Sequence, residues 1–161
     1  MVLTHGHSDH TGSINKVRQM HSVPVYAHPV ELPYLEGELP YPRRKKAAET
    51  VSSGLTEPLP SNNASELSSI GGLKPYFTPG HSPGHVVFYH EVDQVLLAGD
   101  LFTSKKGRLK KPVPMFTANM EEAVQSAEIV SRLRPKRLEV CHGNSVFNPG
   151  EQMEAYRKNN S

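Results

Sequence analysis

The chain has 161 residues and a formal net charge of +2, from 18 Lys and Arg against 16 Asp and Glu. This length suits one domain that buries a core without disulfides, and the near-neutral charge gives no electrostatic reason to expect a nucleic-acid partner. The apolar runs are short, no basic segment precedes one, and Cys141 is the single cysteine. We therefore expect no membrane span, no secretory signal and a cytoplasmic location in which thiols stay reduced.

The hydrophobic pattern at the start of the chain predicts short elements separated by polar loops. Ser13 is expected to cap a helix whose apolar face carries Ile14, Val17 and Met20. In chain order we expect the end of a strand at residues 1–3, a polar loop at 4–12, this helix, a strand at 24–27, and a turn or short helix at 29–35.

Residues 36–72 differ from their surroundings because they are rich in Pro, Ser, Asn and charged residues. The segment is long for a connection, which predicts a variable insertion that is either on the substrate side or poorly ordered. The basic run RRKK at residues 43–46 lies inside this segment, and we interpret it as the solvated face of a helix.

Regular elements are predicted again in the second half of the chain. Asn119 is a good N-cap for a helix that Pro135 ends. In chain order we expect a strand at residues 73–78, a hairpin of strands at 86–89 and 94–98, this helix from 119 to about 133, a final inner strand at 138–141, and a C-terminal helix at 149–156. Strands that alternate with helices indicate one layered α/β domain across residues 1–161.

Histidine and aspartate are concentrated in four short segments, which hold six of the nine histidines and two of the three aspartates. The first segment is THGHSDH at residues 4–10. In an extended segment His5 and His7 point the same way, so their imidazoles can bind one metal ion. The side chains of Asp9 and His10 point in other directions than those of His5 and His7, so they can bind a second ion nearby.

The other three segments are TPGHSPGH at residues 78–85, LLAGD at 96–100 and CHG at 141–143. Each follows a predicted strand, and functional groups of α/β domains gather beyond strand ends. Taken alone, Asp100 fits a turn residue and His142 a surface histidine. The four segments together instead predict a dinuclear metal site.

The remaining histidines, His21, His28 and His90, lack such a context, and we interpret them as structural. Cys141 is interpreted as a buried strand thiol, because a soft sulfur atom alone does not make a cysteine a metal ligand.

The motifs THGHSDH, TPGHSPGH, LLAGD and CHG resemble those of the metallo-β-lactamase-fold hydrolases, in the same order and spacing across residues 2–143. The resemblance implies an αββα sandwich with a two-metal site along one edge of its sheets. It also implies that His85 supports this site without binding a metal. The implied ligands are His5, His7 and His81 for one ion, Asp9, His10 and His142 for the other, and Asp100 as the bridge between them.

This chain differs from the family at its start. Members normally have several strands before the first motif, and here only residues 1–3 correspond to them. We therefore expect a sandwich that lacks its first N-terminal strands. An incomplete sheet leaves an unpaired edge, so we also expect marginal stability or self-association through that sheet.

The implied ligands favour two divalent ions, zinc best of all, with iron and manganese as alternatives. Two such ions hold a hydroxide that attacks a carbonyl or phosphoryl centre, and Asp9 is the predicted catalytic residue that orients it and takes its proton. The predicted function is hydrolysis of a small-molecule ester, thioester or lactone. The residues after Asp100 lack the Cys-Gly-Arg pattern typical of glyoxalase II thioesterases.

Three alternatives remain open from the sequence. A phosphodiesterase or nuclease of the same fold would need a basic surface that the net charge does not supply. A non-enzymatic metal-binding or redox protein would be supported by a flavodoxin-like partner domain, which the sequence lacks. The third alternative is an inactive remnant that keeps its ligands while its fold is incomplete.

Overall fold

A computed structural model describes residues 1–62 and 66–160. Residues 63–65 of the predicted insertion thus lie outside the described residues. The strands are β1 (Val25–Ala27), β2 (Thr56–Pro58), β3 (Leu73–Phe77), β4 (Val86–His90), β5 (Val95–Leu97), β6 (Thr103–Lys105), β7 (Arg108–Lys110), β8 (Arg137–Glu139) and β9 (Val146–Phe147). The α-helices are α1 (Ser8–Thr11), α2 (Ile14–Met20), α3 (Leu32–Leu35), α4 (Met120–Ser126), α5 (Ile129–Leu133) and α6 (Met153–Lys158).

The main sheet has five strands in the order β3-β4-β5-β8-β9. Neighbouring strands are antiparallel except for β5 and β8, which run parallel. The predicted hairpin is confirmed as β4 and β5. A second, smaller sheet pairs β1 with β2 in parallel, and Val2 adds a bridge to Tyr26. The strands β6 and β7 form a separate antiparallel hairpin.

Buried side chains define four layers. Val87 on one face of the main sheet packs in a cluster with Val130 of α5 and Met153 of α6. Val86 and Phe88 on the opposite face pack with residues of the smaller sheet, such as Tyr26. The far side of the smaller sheet is covered by α2 and α3, through a cluster that includes Leu3, Ile14, Val25, Ala27, Leu35 and Val51. This helix–sheet–sheet–helix order confirms the expected αββα sandwich fold.

Several predicted elements differ from the observed ones in extent. The Asn119 side chain accepts the predicted cap hydrogen bond from the Glu122 N–H at 3.2 Å. The helix it starts is not continuous, because i→i+3 hydrogen bonds from Glu128 and Val130 tighten the backbone between α4 and α5. The predicted final strand ends at Glu139, and a further strand, β9, pairs with it.

The interpretation of residues 43–46 as a helix face is wrong. These residues are exposed, as expected, but none is helical: Arg43 lies in a turn, and Lys45 and Lys46 lie in a bend. Pro40 and Pro42 immediately precede them, and Arg43 has a φ of 69°, so the backbone does not follow a helical path.

The helices of the described residues are short, the longest α-helices having seven residues. None of them has the length and apolar composition needed to cross a membrane.

Replacing Arg134 with glycine should stabilise the fold. Arg134 follows α5 at φ 47° and ψ 53°, a left-handed conformation that strains an L-residue but not glycine. The Arg134→Gly variant should raise the free energy of unfolding by about 0.5–1 kcal/mol, measured by chemical denaturation.

The control is Arg132→Gly inside the same helix, where Arg132 also lies over the Tyr76 ring at 5.3 Å. This variant should lower the free energy of unfolding by about 1 kcal/mol or more. Equal losses in both variants would contradict the strain at Arg134.

Candidate functional site

Strand direction brings the four predicted segments to one edge of the main sheet. β3 and β5 both run antiparallel to β4, and β8 runs parallel to β5, so these three strands end at the same edge. Residues 78–85, the second histidine loop, follow β3, while Asp100 follows β5 and His142 follows β8. Residues 4–10, the first histidine loop, join them because the Thr4 carbonyl accepts a hydrogen bond of 2.9 Å from the Val86 N–H at the start of β4.

The seven predicted ligands converge at this edge in the two expected sets. Within each set the ligand atoms lie within 4.8 Å of one another: His5, His7 and His81 in one, and Asp9, His10 and His142 in the other. Asp100 Oδ2 lies between the sets, 3.3–3.5 Å from the Nε2 atoms of His10, His81 and His142. A third group of the same kind, His5, His10 and Asp100, spans the two sets. The seven residues therefore come together as expected, while their division between two ions and their role as ligands stay predictions.

The spacing of the ligand atoms fits a tetrahedral ion. Atoms 2.0–2.1 Å from a tetrahedral zinc ion are about 3.3–3.4 Å from one another. Asp9 Oδ2 lies 3.3 Å from the Nε2 atoms of both His10 and His142, and His81 Nε2 lies 3.1 Å from His7 Nδ1. The side chains therefore need little movement to bind an ion.

Buried polar atoms at the centre also lack partners. His5 Nε2 and Asp100 Oδ1 are buried and make no hydrogen bond within the described part of the chain, while the buried His10 Nε2 lies 3.3 Å and 3.5 Å from carboxylate oxygens of Asp9 and Asp100. A buried polar atom without a partner costs about 1–3 kcal/mol, so two of them in one cluster indicate a place for a ligand. Imidazole nitrogen and carboxylate oxygen together are a donor set that suits divalent transition metals.

Most of the clustered histidines are held in the neutral form that binds metals. Burial is the main cause: it lowers the pKa of His7 and His81 to about 4, and that of His5 well below its ordinary value. The Arg44 guanidinium acts on the pKa of His7 in the same direction. Neutral imidazoles need not release a proton before they bind a cation.

His10 and Asp100 form the charged part of the centre. Burial lowers the pKa of His10, but the adjacent Asp100 carboxylate and Cys141 outweigh burial and raise it to about 10. Burial raises the pKa of Asp100, but the imidazoles of His10, His81 and His142 bring it below its ordinary value. The buried carboxylate therefore attracts positive charge to this point.

Three further side chains orient the ligands. His85 Nε2 accepts a hydrogen bond of 3.2 Å from the Asp100 N–H, which fits the supporting role implied for it. Hydroxyls of Thr4 and Thr117 lie 3.2 Å and 3.3 Å from the Nδ1 atoms of His5 and His81, leaving each Nε2 for a metal. Gly99 has a φ of 53°, and a Cβ there would lie 2.8 Å from His85 Nε2, so this turn requires glycine.

The histidines interpreted as structural lie outside the candidate centre, and two of them make local contacts. His90 pairs with Asp93 at 3.0 Å, and His28 Nδ1 accepts the Val30 N–H at 3.2 Å. His21 is exposed at the end of α2. The interpretation of Cys141 as a buried thiol is wrong, since it is exposed beyond the end of β8, beside His10.

A buried glutamate, Glu31, links the two histidine loops and was not among the predicted site residues. Its Oε1 accepts hydrogen bonds from the Gly6 N–H at 2.9 Å and the Tyr41 hydroxyl at 2.8 Å. Its Oε2 accepts from the Ser82 hydroxyl at 2.9 Å and the Gly84 N–H at 2.7 Å. One fully buried carboxylate thus fixes both loops relative to each other.

Burial raises the pKa of the Glu31 carboxyl, and its four donors oppose that rise. The sequence held a signal for this residue, because Ala27, Glu31 and Leu35 are spaced four apart in an apolar segment. All three are buried, so an acid on this stripe must have buried partners.

Replacing Glu31 with glutamine should weaken metal binding, although Glu31 is not itself one of the predicted ligands. An amide cannot accept from all four donors, so one histidine loop loses its anchor. Metal affinity should fall by about 10–100-fold, measured by competition with a chelator, and the melting temperature should fall with it.

The matched control is Glu57→Gln on the exposed part of β2, which should change neither quantity. A Glu31→Gln protein with unchanged affinity for metal would contradict the positioning role of Glu31.

A cleft opens directly onto the centre. It has a volume of about 720 Å³ and is lined by four of the predicted ligands, His7, Asp9, Asp100 and His142. Residues of the segment 41–50, called the wall segment, and Val113 and Phe116 line it as well. The candidate metal centre is therefore accessible to a small molecule.

Comparison with known proteins agrees with this geometry. Residues 1–142 match the profile of the metallo-beta-lactamase superfamily. YybB of Bacillus subtilis strain 168, a probable metallo-hydrolase, is 38% identical over 156 residues, which cover 97% of this chain and 69% of that protein. GloC of Haemophilus influenzae, a hydroxyacylglutathione hydrolase, is 28% identical over 115 residues, or 70% of this chain and 54% of that protein.

Solved structures show the same fold. The crystal structure of TTHA1623 in a di-iron-bound form superposes with a TM-score of 0.67 and 26% identity, covering 93% of this chain and 72% of that one. This chain thus spans only part of the length of each of these proteins. The match over residues 1–142 and the shared fold establish that the chain belongs to the metallo-β-lactamase superfamily.

Proposed function

We propose that this protein is a metal-dependent hydrolase that uses two divalent ions to cleave a small-molecule ester, thioester or lactone. The observation that carries the proposal is the pair of three-residue ligand sets with the Asp100 carboxylate between them. The mixture of imidazole and carboxylate ligands favours zinc, and iron is the first alternative.

When bound, such ions acidify water and polarise a carbonyl group. The protein supplies the position of the substrate and a base for the water proton. Asp9 suits the role of base because its side chain is 58% exposed at the cleft, whereas that of Asp100 is only 8% exposed. Asp9 is therefore more accessible to water and substrate than Asp100.

The cleft supports a small substrate with an acyl group. Its volume of about 720 Å³ suits a compound of the size of a metabolite, and Tyr41, Val113 and Phe116 supply apolar surface. The hydroxyacylglutathione hydrolase among the relatives supports a thioester as one of the possible substrates.

Metal analysis tests the site. The purified chain should hold up to two divalent ions, and chelation should lower its melting temperature because the ions bind only the folded state. His7→Ala should lose one ion preferentially, and Asp100→Ala should bind both more weakly. Unchanged stoichiometry and affinity in Asp100→Ala would exclude a bridging carboxylate.

Substitution of Asp9 tests the chemistry. Asp9→Asn keeps the shape of the side chain but removes its ability to accept a proton, so kcat should fall by about 10²–10⁴-fold or more. The assay uses zinc-loaded protein with metal content measured in each sample, so that loss of metal and loss of the base are separated.

The control for this variant is His90→Ala, which removes an exposed pair with Asp93 and should leave kcat unchanged. Full activity in Asp9→Asn together with loss of activity in His90→Ala would place the active site elsewhere.

A further inference from the structure

We propose that Arg44 and Lys46 form a carboxylate-binding subsite, so that the substrate is an ester, thioester or lactone that carries a negative charge away from the bond that breaks. This inference rests on the proposed function and specifies its substrate class.

Both cationic side chains line the cleft that ends at the metal ligands. They lie on the wall segment, and His7, Asp9, Asp100 and His142 line the same cleft. A molecule that fills this cleft can therefore contact the centre and both cations at once.

The wall segment is anchored on both sides of the two cations. Before them, the Tyr41 hydroxyl donates to Glu31 at 2.8 Å, and the Arg43 guanidinium donates to the carbonyls of Pro114 at 2.9 Å and Thr117 at 3.2 Å. After them, the Thr50 hydroxyl donates to the Gly6 carbonyl at 2.6 Å. Arg44 and Lys46 are thus held over the cleft by a backbone with fixed ends.

The Arg44 side chain is itself oriented by Phe116, which also lines the cleft. Its guanidinium carbon lies 5.4 Å from the centre of the Phe116 ring, a cation–π contact that leaves the N–H groups of the fork free to bind a ligand. A planar fork of this kind matches the two oxygens of a carboxylate.

Neither cation has a carboxylate partner within residues 1–62 and 66–160. Glu49 also lines the cleft, but it forms an ion pair with neither of them, and Asp9 and Asp100 face the histidines. Two unpaired cations beside one unpaired acid leave this wall with a positive surface that favours an anionic group.

The experiment compares matched substrates with the zinc-loaded full chain. Thioesters that carry a free carboxylate in the acyl part or in the thiol part are each paired with the neutral primary amide. The charged member of at least one pair should have a kcat/KM about tenfold higher, mainly through a lower KM, and the difference should shrink at high salt.

The double variant Arg44→Gln/Lys46→Gln should lose this preference at unchanged metal content. Lys45→Gln is the matched control, because Lys45 is an exposed lysine between the two that does not line the cleft within the described residues. A thioether analogue with the same carboxylate, which cannot be hydrolysed, gives a second measurement by calorimetry. Its affinity should fall about tenfold in the double variant and stay constant in Lys45→Gln.

The outcomes separate the two proposals. Hydrolysis of none of the thioesters, esters or lactones by zinc-loaded protein contradicts the proposed function, while calorimetry still tests the subsite. Equal hydrolysis of the charged and neutral members of every pair overturns the subsite alone. So does a double variant that keeps the charge preference or binds the thioether analogue as tightly as the unmodified protein.

Discussion

The position of the two histidine loops depends on the Glu31 carboxylate, which accepts one backbone N–H from each of them. Neither loop has a strand partner over its ligand residues, so strand pairing cannot fix their separation. A buried carboxylate with four donors is a stiff link, because the loss of any donor leaves a buried charge poorly solvated. Gly84 permits the close approach, since a Cβ there would lie 2.4 Å from the Glu31 nitrogen. The separation of His7 from His81 follows from this link.

The candidate metal centre contains several groups that destabilise the fold as long as no ligand is bound. Buried imidazoles whose pKa values are lowered lie at one sheet edge, together with Asp100 Oδ1 and His5 Nε2, which have no hydrogen-bond partner among the described residues. Strand direction places them there, and the packed layers on either side supply the stability that holds them. Groups that are unfavourable for folding and that lie together in one place are typical of a ligand-binding site.

Short-range sequence patterns were sufficient to predict that the candidate ligands lie together, whereas features that depend on long-range contacts could not be predicted. His5, His7, Asp9 and His10 lie within one heptapeptide, and Asp100 follows an apolar strand, so residue spacing alone indicated their chemistry. Glu31 acts through residues up to 53 positions away, which no local pattern encodes. The division between α4 and α5 and the exposure of Cys141 likewise depend on how distant segments pack.

The wall segment lines the cleft and also contacts the first histidine loop. Tyr41 shares Glu31 Oε1 with the Gly6 N–H, and its ring lies 4.7 Å from that of His7. Thr50 bonds the carbonyl of the same glycine. The first histidine loop is therefore held by the segment that carries Arg44 and Lys46, so a displacement of this segment also displaces the predicted ligand His7. Because of this coupling, any contact that a bound molecule makes with the wall segment would also act on the geometry of the predicted metal centre.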